Sequence, residues 1–320
     1  MRKPLIPMLL MLALLSGCAQ SNGDTAAYIG KVTIGEILFG TETVALAAAP
    51  AISDSMMPTA PGEAVKKNER AIIDYSNSKD GYVMVNFTDA TNKNLKVRVT
   101  GPSATQYTYN LVAGQWTTFP LSDGNGAYQI TIFENTTDSK YATVLTAEIT
   151  AALADEFAPF LRPNQYVDYA EAANTVAKAA ELTGSITEPL HKVETVYSFV
   201  TDHLTYDKEK AKNVQSGYLP VLDDVLEKGK GICFDYAALM TAMLRSQNVP
   251  CKLVVGYAGE AYHAWISVWT EDSGWIDGVI YFDGTAWQRM DPTFASSGKK
   301  SDAIMHYIGD GKNYNAMYLY

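Results

Sequence analysis

The stretch from Gly229 to Tyr257 reads Gly-Lys-Gly-Ile-Cys-Phe-Asp-Tyr-Ala-Ala-Leu-Met-Thr-Ala-Met-Leu-Arg-Ser-Gln-Asn-Val-Pro-Cys-Lys-Leu-Val-Val-Gly-Tyr, and it leaves the chain few choices of fold. Helix formers crowd from Ala237 to Leu244, with apolar residues at intervals of three and four. That pattern predicts a helix buried on most sides. Asn248, Val249 and Pro250 end it, and Cys251 to Tyr257 then reads as a short buried strand centred on Leu253, Val254 and Val255. Cys233 falls where the helix begins, with Asp235 in its first turn. A thiol at a helix start lies against unsatisfied backbone N–H groups and the positive end of the helix dipole, and both favour the nucleophilic thiolate. The glycines at 229 and 231 let backbone come close to a substrate there.

The chain opens Met1-Arg2-Lys3, runs apolar from Leu5 to Leu15, and continues Ser16-Gly17-Cys18. A basic start, a short apolar core and small residues describe a secretory leader too short for a comfortable membrane span. Leu15-Ser16-Gly17-Cys18 resembles the bacterial lipobox, which implies a signal peptide over 1–17, lipidation of Cys18 and anchoring on the extracellular side of a bacterial membrane. The 320-residue chain carries 25 basic and 35 acidic residues, and loss of Arg2 and Lys3 with the leader leaves a balance of about −12. Such a balance argues against nucleic acid as a partner, because phosphate binding needs clustered cations. Residues 18–65, rich in Ala, Pro and small polar residues, read as a tether.

Between Arg70 and Leu153 the period changes to two. Strands are expected at 71–75, 82–88, 95–100, 107–112, 116–121, 128–134 and 143–150, with turn signals such as Gly101-Pro102 and Ser-Asp-Gly-Asn-Gly at 122–126 between them. Seven short alternating strands suggest an immunoglobulin-like β-sandwich over 66–153, followed by an α+β domain over 154–320. Tyr107, Tyr109, Trp116 and Tyr128 could form a stacking platform for carbohydrate, but aromatics of this kind more often fill a core. Helices are expected from Asp168 to Leu182, from a Thr187 cap through Leu204, and over 221–228. His191 and His203 on the second of these have no metal-ligand spacing and read as surface or cap residues. A strand is expected around His263, with Ala264, Ile266 and Val268 on one face and His263, Trp265 and Ser267 on the other. A further strand, Ala286 to Met290, runs into Asp291, and the last twenty residues end in an edge strand. Cys251 should not bridge to Cys233. A helix of that length separates the two by roughly 20 Å, whereas disulfide-linked Cα atoms lie within about 7 Å.

Three motifs in this order, Gly231-Ile-Cys-Phe-Asp-Tyr-Ala237, His263-Ala-Trp265 and Trp287-Gln-Arg-Met-Asp-Pro-Thr293, together with Val249 to Tyr257, resemble the transglutaminase-like superfamily over residues 165–297. The resemblance implies a papain-like catalytic domain in which Cys233 attacks an amide carbonyl to give a thioester, His263 pairs with the thiolate and protonates the leaving amine, and Asp291 orients the imidazole. The Cys233 backbone N–H is the natural oxyanion donor, with Tyr206 and Tyr218 as candidates for a second. Gly231, Phe234, Tyr262 and Trp265 flank the pair and are the substrate-pocket candidates. The substrate class implied is a peptide or protein at the cell surface, with no cofactor and no metal. The core here is Ile232-Cys233-Phe234 where animal transglutaminases have Gln-Cys-Trp, and no spacing suits calcium. Amine transfer, peptide or amide hydrolysis, and a surface scaffold with an inactive triad all remain open at this level.

Overall fold

The computed structural model describes residues 56–271, 274–277, 280–282, 287–289 and 314–320. Its architecture is mixed α/β. The first part is built from strands, with one 3-10 turn at Ser78–Asp80: β1 Val65–Lys67, β2 Ala71–Asp74, β3 Tyr82–Phe87, β4 Leu95–Thr100, β5 Gln106–Leu111, β6 Thr117–Pro120, β7 Gly126–Thr137 and β8 Lys140–Ala151. In β4 burial alternates strictly, with Leu95, Val97 and Val99 inward, as expected when successive side chains point to opposite faces. The strands form two four-stranded antiparallel sheets, ordered β1-β2-β3-β6 and β5-β4-β7-β8. Ile73 and Val83 from one sheet and Val97 and Ile130 from the other are fully buried in a common core. Tyr109 of β5 meets Phe119 of β6 edge-on at 5.0 Å across it.

Seven of the eight strands lie where alternation predicts them. The eighth, β1, is three residues long and contains two lysines, so it carries no readable period. Residues ahead of it are also tied down: Gly62 N–H donates to Asp74 at 2.7 Å and Thr59 N–H to the Tyr82 hydroxyl at 3.1 Å. The segment from Thr59 to Val65, expected in the tether, therefore belongs to the β layer. Tyr107, Tyr109 and Tyr128 are buried as core residues, while Trp116 is 41% exposed. The lipidation candidate Cys18 lies outside the described residues.

The second part begins with single turns at Ala158–Phe160 and Tyr169–Glu171, then α1 Ala173–Thr183 and α2 Pro189–His203. Helix α1 starts five residues later than expected, because the segment from Tyr169 first makes a tighter turn. Helix α2 is capped at Glu188 rather than Thr187, with Pro189 in the first helical position, where its missing N–H costs nothing. His191 is exposed. His203 is also exposed, hydrogen-bonded to the Leu226 carbonyl at 2.6 Å and stacked on Phe199. Next come β9 Thr205–Tyr206, α3 Lys208–Asn213, α4 Leu222–Lys228, β10 Lys230–Gly231 and α5 Cys233–Ser246. Helix α3 escaped the sequence reading since none of its six residues is buried and no apolar period marks it. Its one signal is Asp207, whose carboxylate caps the Glu209 and Lys210 N–H groups at 3.1 and 2.9 Å.

Strands β11 Cys251–Ala258, β12 Ala261–Thr270, β13 Gly274–Asp277 and β16 Tyr314–Leu319 form an antiparallel sheet ordered β13-β12-β11-β16, with β16 on the edge as expected. Strands β14 Ile280–Phe282 and β15 Trp287–Arg289 form a separate hairpin. Both faces of β12 from His263 to Val268 are buried, so the expected polar face is packed as well. Helix α5 lies between this sheet and helices α1, α2 and α4. Every residue from Asp235 to Arg245 is buried, and each fully enclosed Leu or Met there contributes about 2–5 kcal/mol relative to alanine. Arg245 spends its guanidinium on backbone carbonyls of three segments: Cys251 at 2.8 Å, Arg162 at 2.8 Å and Tyr320 at 2.5 Å. Burial lowers its pKa to about 10.

Candidate active site

Pairing of β9 with β10 sets Tyr206 beside Gly231, immediately before α5. The Asp207 N–H donates to the Gly231 carbonyl at 2.8 Å and fixes this approach. Gly231 is required by crowding: a Cβ there would stand 2.6 Å from the Asp235 Cβ. Its role is thus to let the chain pass a neighbouring side chain, where the sequence suggested approach to a substrate. The Asp235 carboxylate, wholly buried, turns back to accept the Ile232 N–H at 2.8 Å. This caps the first turn and holds Cys233 as its first residue. The Cys233 N–H is one of the donors for which the helix supplies no carbonyl.

Cys233 is half-buried and unbridged. His263, on β12 opposite Gly256 of β11, is buried. Cys233 and His263 line the same cavity of about 460 Å³. Tyr166, Tyr206, Phe234, Tyr262 and Tyr320 give it aromatic walls, and the segment from Ala211 to Tyr218 closes one side. Tyr262 is 62% exposed at the rim; burial first, then the charges of Tyr318, Tyr257 and Cys233, raise its hydroxyl pKa. Among the described residues lining the cavity there is no Asp, Glu, Lys or Arg.

Of the pocket candidates, Phe234 and Tyr262 line the cavity. Trp265 does not: it is buried behind His263, at 6.4 Å between ring centroids, and meets Tyr314 edge-on at 5.1 Å. It backs the imidazole rather than touching what enters. Tyr206 and Tyr218 both reach the cavity, but the Tyr218 hydroxyl gives its one proton to Asp235 at 2.7 Å and accepts from Lys210 at 2.6 Å. Burial, followed by that bond, raises the Tyr218 pKa well above the phenolic range and keeps the proton in place. Its hydroxyl is therefore committed elsewhere than to an oxyanion. Asp291 lies outside the described residues. No sequence pattern pointed to Tyr166 and Tyr320, whose rings meet at a tilt with centroids 4.5 Å apart and join the cavity to the β layer through Tyr109.

Residues 176–278 match the family model described as the Transglutaminase-like superfamily. These residues form a transglutaminase-like domain. It contains α5, β11 and β12 and hence both Cys233 and His263. No curated protein matches the chain in sequence. Solved structures similar to it include a candidate cysteine protease from Cytophaga hutchinsonii, at 16% identity over 72% of this chain and 68% of that one, with a TM-score of 0.35. The periplasmic domain of TgpA from Pseudomonas aeruginosa, bound to ethylmercury, is 15% identical over 74% and 77%, with a TM-score of 0.34. Red sea bream transglutaminase is 14% identical over 71% of this chain and 53% of its own, with a TM-score of 0.30.

Proposed function

We propose that the transglutaminase-like domain is a thiol-dependent enzyme that cleaves peptide or glutamine amides through a thioester on Cys233. The observation that carries this reading is the meeting of a helix-start cysteine and a strand histidine in one aromatic cavity. The Cys233 sulfur forms a bond to the amide carbon, the carbon–nitrogen bond breaks, and His263 gives its proton to the departing amine. The Cys233 N–H stabilises the oxyanion. Asp291, two residues after β15 in the sequence, holds the imidazole in orientation in this reading. Water or a primary amine then attacks the thioester carbon, His263 takes the incoming proton, the carbon–sulfur bond breaks, and the acyl group leaves as acid or new amide with Cys233 regenerated. Incubation with a glutamine-containing protein and a labelled primary amine distinguishes the two acceptors. Incorporation shows transfer, and acid or ammonia release without incorporation shows hydrolysis. Cys233→Ala should abolish both, and His263→Ala should lower the rate at least about a hundredfold. Turnover unchanged in Cys233→Ala would place the chemistry on another residue, and no turnover in the wild type would leave only a scaffold.

The enzyme acts, in this reading, on peptides or proteins outside the cytoplasm, held to a membrane by lipid on Cys18. The acidic balance and the Leu15-Ser16-Gly17-Cys18 segment support it. Metabolic labelling with an alkyne fatty acid should mark the wild-type protein and not Cys18→Ser. The strand orders β1-β2-β3-β6 and β5-β4-β7-β8 support an immunoglobulin-like reading of the β layer.

A further inference from the structure

The segment closing the cavity is held from two sides. On one side, Asp235 of the cysteine helix accepts from the Tyr218 hydroxyl at 2.7 Å and from the Lys210 ammonium at 2.6 Å, and Lys210 also donates to Tyr218 at 2.6 Å. The carboxylate is 0% exposed and Lys210 27%, so this triangle is shielded from solvent and salt. On the other side, Asn110 of β5 donates from Nδ2 to the Gly217 carbonyl at 3.2 Å, while its Oδ1 accepts from Lys96. Lysine only donates and a carbonyl only accepts, so the amide has one possible orientation. Gly217 sits at φ +85°, and a Cβ there would come 2.6 Å from Asn110 Nδ2. The contact between β layer and cavity wall thus requires both that backbone conformation and the absence of a side chain.

What this wall presents is chemically uniform. Its lining residues are small or uncharged, and the facing aromatics add no ionised group. The cation and carboxylate that hold the wall are absent from the cavity lining, because they satisfy each other outside it. A charged substrate side chain packed against this wall would lose water and gain no counter-ion from it, while an apolar or aromatic one would gain contact with rings.

We propose that residues 211–218 are a specificity-determining wall of the Cys233 cavity, clamped jointly by Asp235 and by Asn110 of the β layer, which admits a neutral apolar or aromatic side chain beside the scissile amide. This rests on the reading of Cys233 as the nucleophile. The test separates the two ideas by labelling rather than turnover. Wild type, Tyr218→Phe and Asn110→Asp, each checked for folding by thermal melting, are treated with peptidyl electrophiles differing only in the residue next to the warhead: Phe, Leu, Glu or Lys. Iodoacetamide serves as the probe without a side chain, and modification of Cys233 is read by mass spectrometry. Asn110→Asp keeps the acceptor for Lys96 but faces the Gly217 carbonyl with an oxygen. The expected result is preference for Phe and Leu over Glu and Lys by at least about tenfold in wild type. That preference should narrow severalfold in both variants, with the iodoacetamide rate of Asn110→Asp unchanged. Equal labelling by all four peptidyl probes, or a preference identical in the folded variants, overturns the wall while leaving the nucleophile intact. A Cys233 inert even to iodoacetamide overturns the functional reading and the wall with it.

Discussion

The two cysteines of the folded region have opposite fates, fixed by where each meets α5. Cys233 begins the helix at the cavity; Cys251 follows its far end, fully buried, with its sulfur 3.6 Å from the Thr241 hydroxyl. Burial pushes the Cys251 thiol up to about 11. Native protein treated with iodoacetamide at pH 8 should therefore carry label on Cys233 and none on Cys251, whereas denaturation should expose both. Peptide mapping checks this, and native labelling of Cys251 would show that the end of the helix opens. Both positions were legible in the sequence, because helix formers followed by Val-Pro-Cys and an apolar run leave one arrangement for that stretch. The Asp235 clamp was not. Lys210 and Tyr218 lie 8 residues apart and Tyr218 and Asp235 17 apart, with no period connecting them. The only trace was an acidic residue inside an apolar helix, which a first-turn preference for carboxylates explained just as well.

At the scale of elements, the first turn of α5 is the joint on which the site depends. Asp235→Ala leaves the Ile232 N–H and the Tyr218 hydroxyl without their acceptor and the Lys210 ammonium without its counter-charge. The expected loss is about 3 kcal/mol, read as a lower urea midpoint at unchanged slope. Asp235→Asn preserves the volume and one acceptor oxygen and should lose less. Equal stability of Asp235→Ala and wild type would show the clamp to be energetically idle. Elements longer than five residues with a sustained apolar pattern lie where the sequence places them to within a few residues, including α5, β4 and β7. Those misread were short or bounded by local capping: β1, α3, the start of α1 and the cap of α2. Their positions depend on partners distant in sequence, such as Asp74 for Gly62 and the Gly231 carbonyl for Asp207.

Across the whole molecule, the β layer and the transglutaminase-like domain belong to one compact unit and meet through tyrosines. Tyr107 and Tyr109 of β5 lie 5.7 and 5.8 Å from the ring of Tyr320, and Tyr166 stacks on Tyr109. Burial raises Tyr107, Tyr166 and Tyr169 from 10.0 to about 12, and Tyr109 and Tyr320 further still. For an acid whose folded pKa is raised, the unfolded chain ionises first. The stabilising contribution is complete below pH 10 and is lost as pH rises towards 12. Tyrosinate absorbance and far-ultraviolet circular dichroism should therefore change together in that window. Gradual ionisation with no loss of ellipticity would show the rings to be solvent-accessible. The sealed position of Cys251 has a consequence for oxidation. Peroxide reaching the cavity would convert Cys233 to a sulfenic acid, and among the described residues no second thiol lies near enough to resolve it as an internal disulfide. The oxidised sulfur must pass to a small thiol from solution or advance irreversibly to the sulfinic stage. The recovery of this nucleophile after oxidation is thus governed by the thiols dissolved around the protein, and the fold itself holds nothing in reserve.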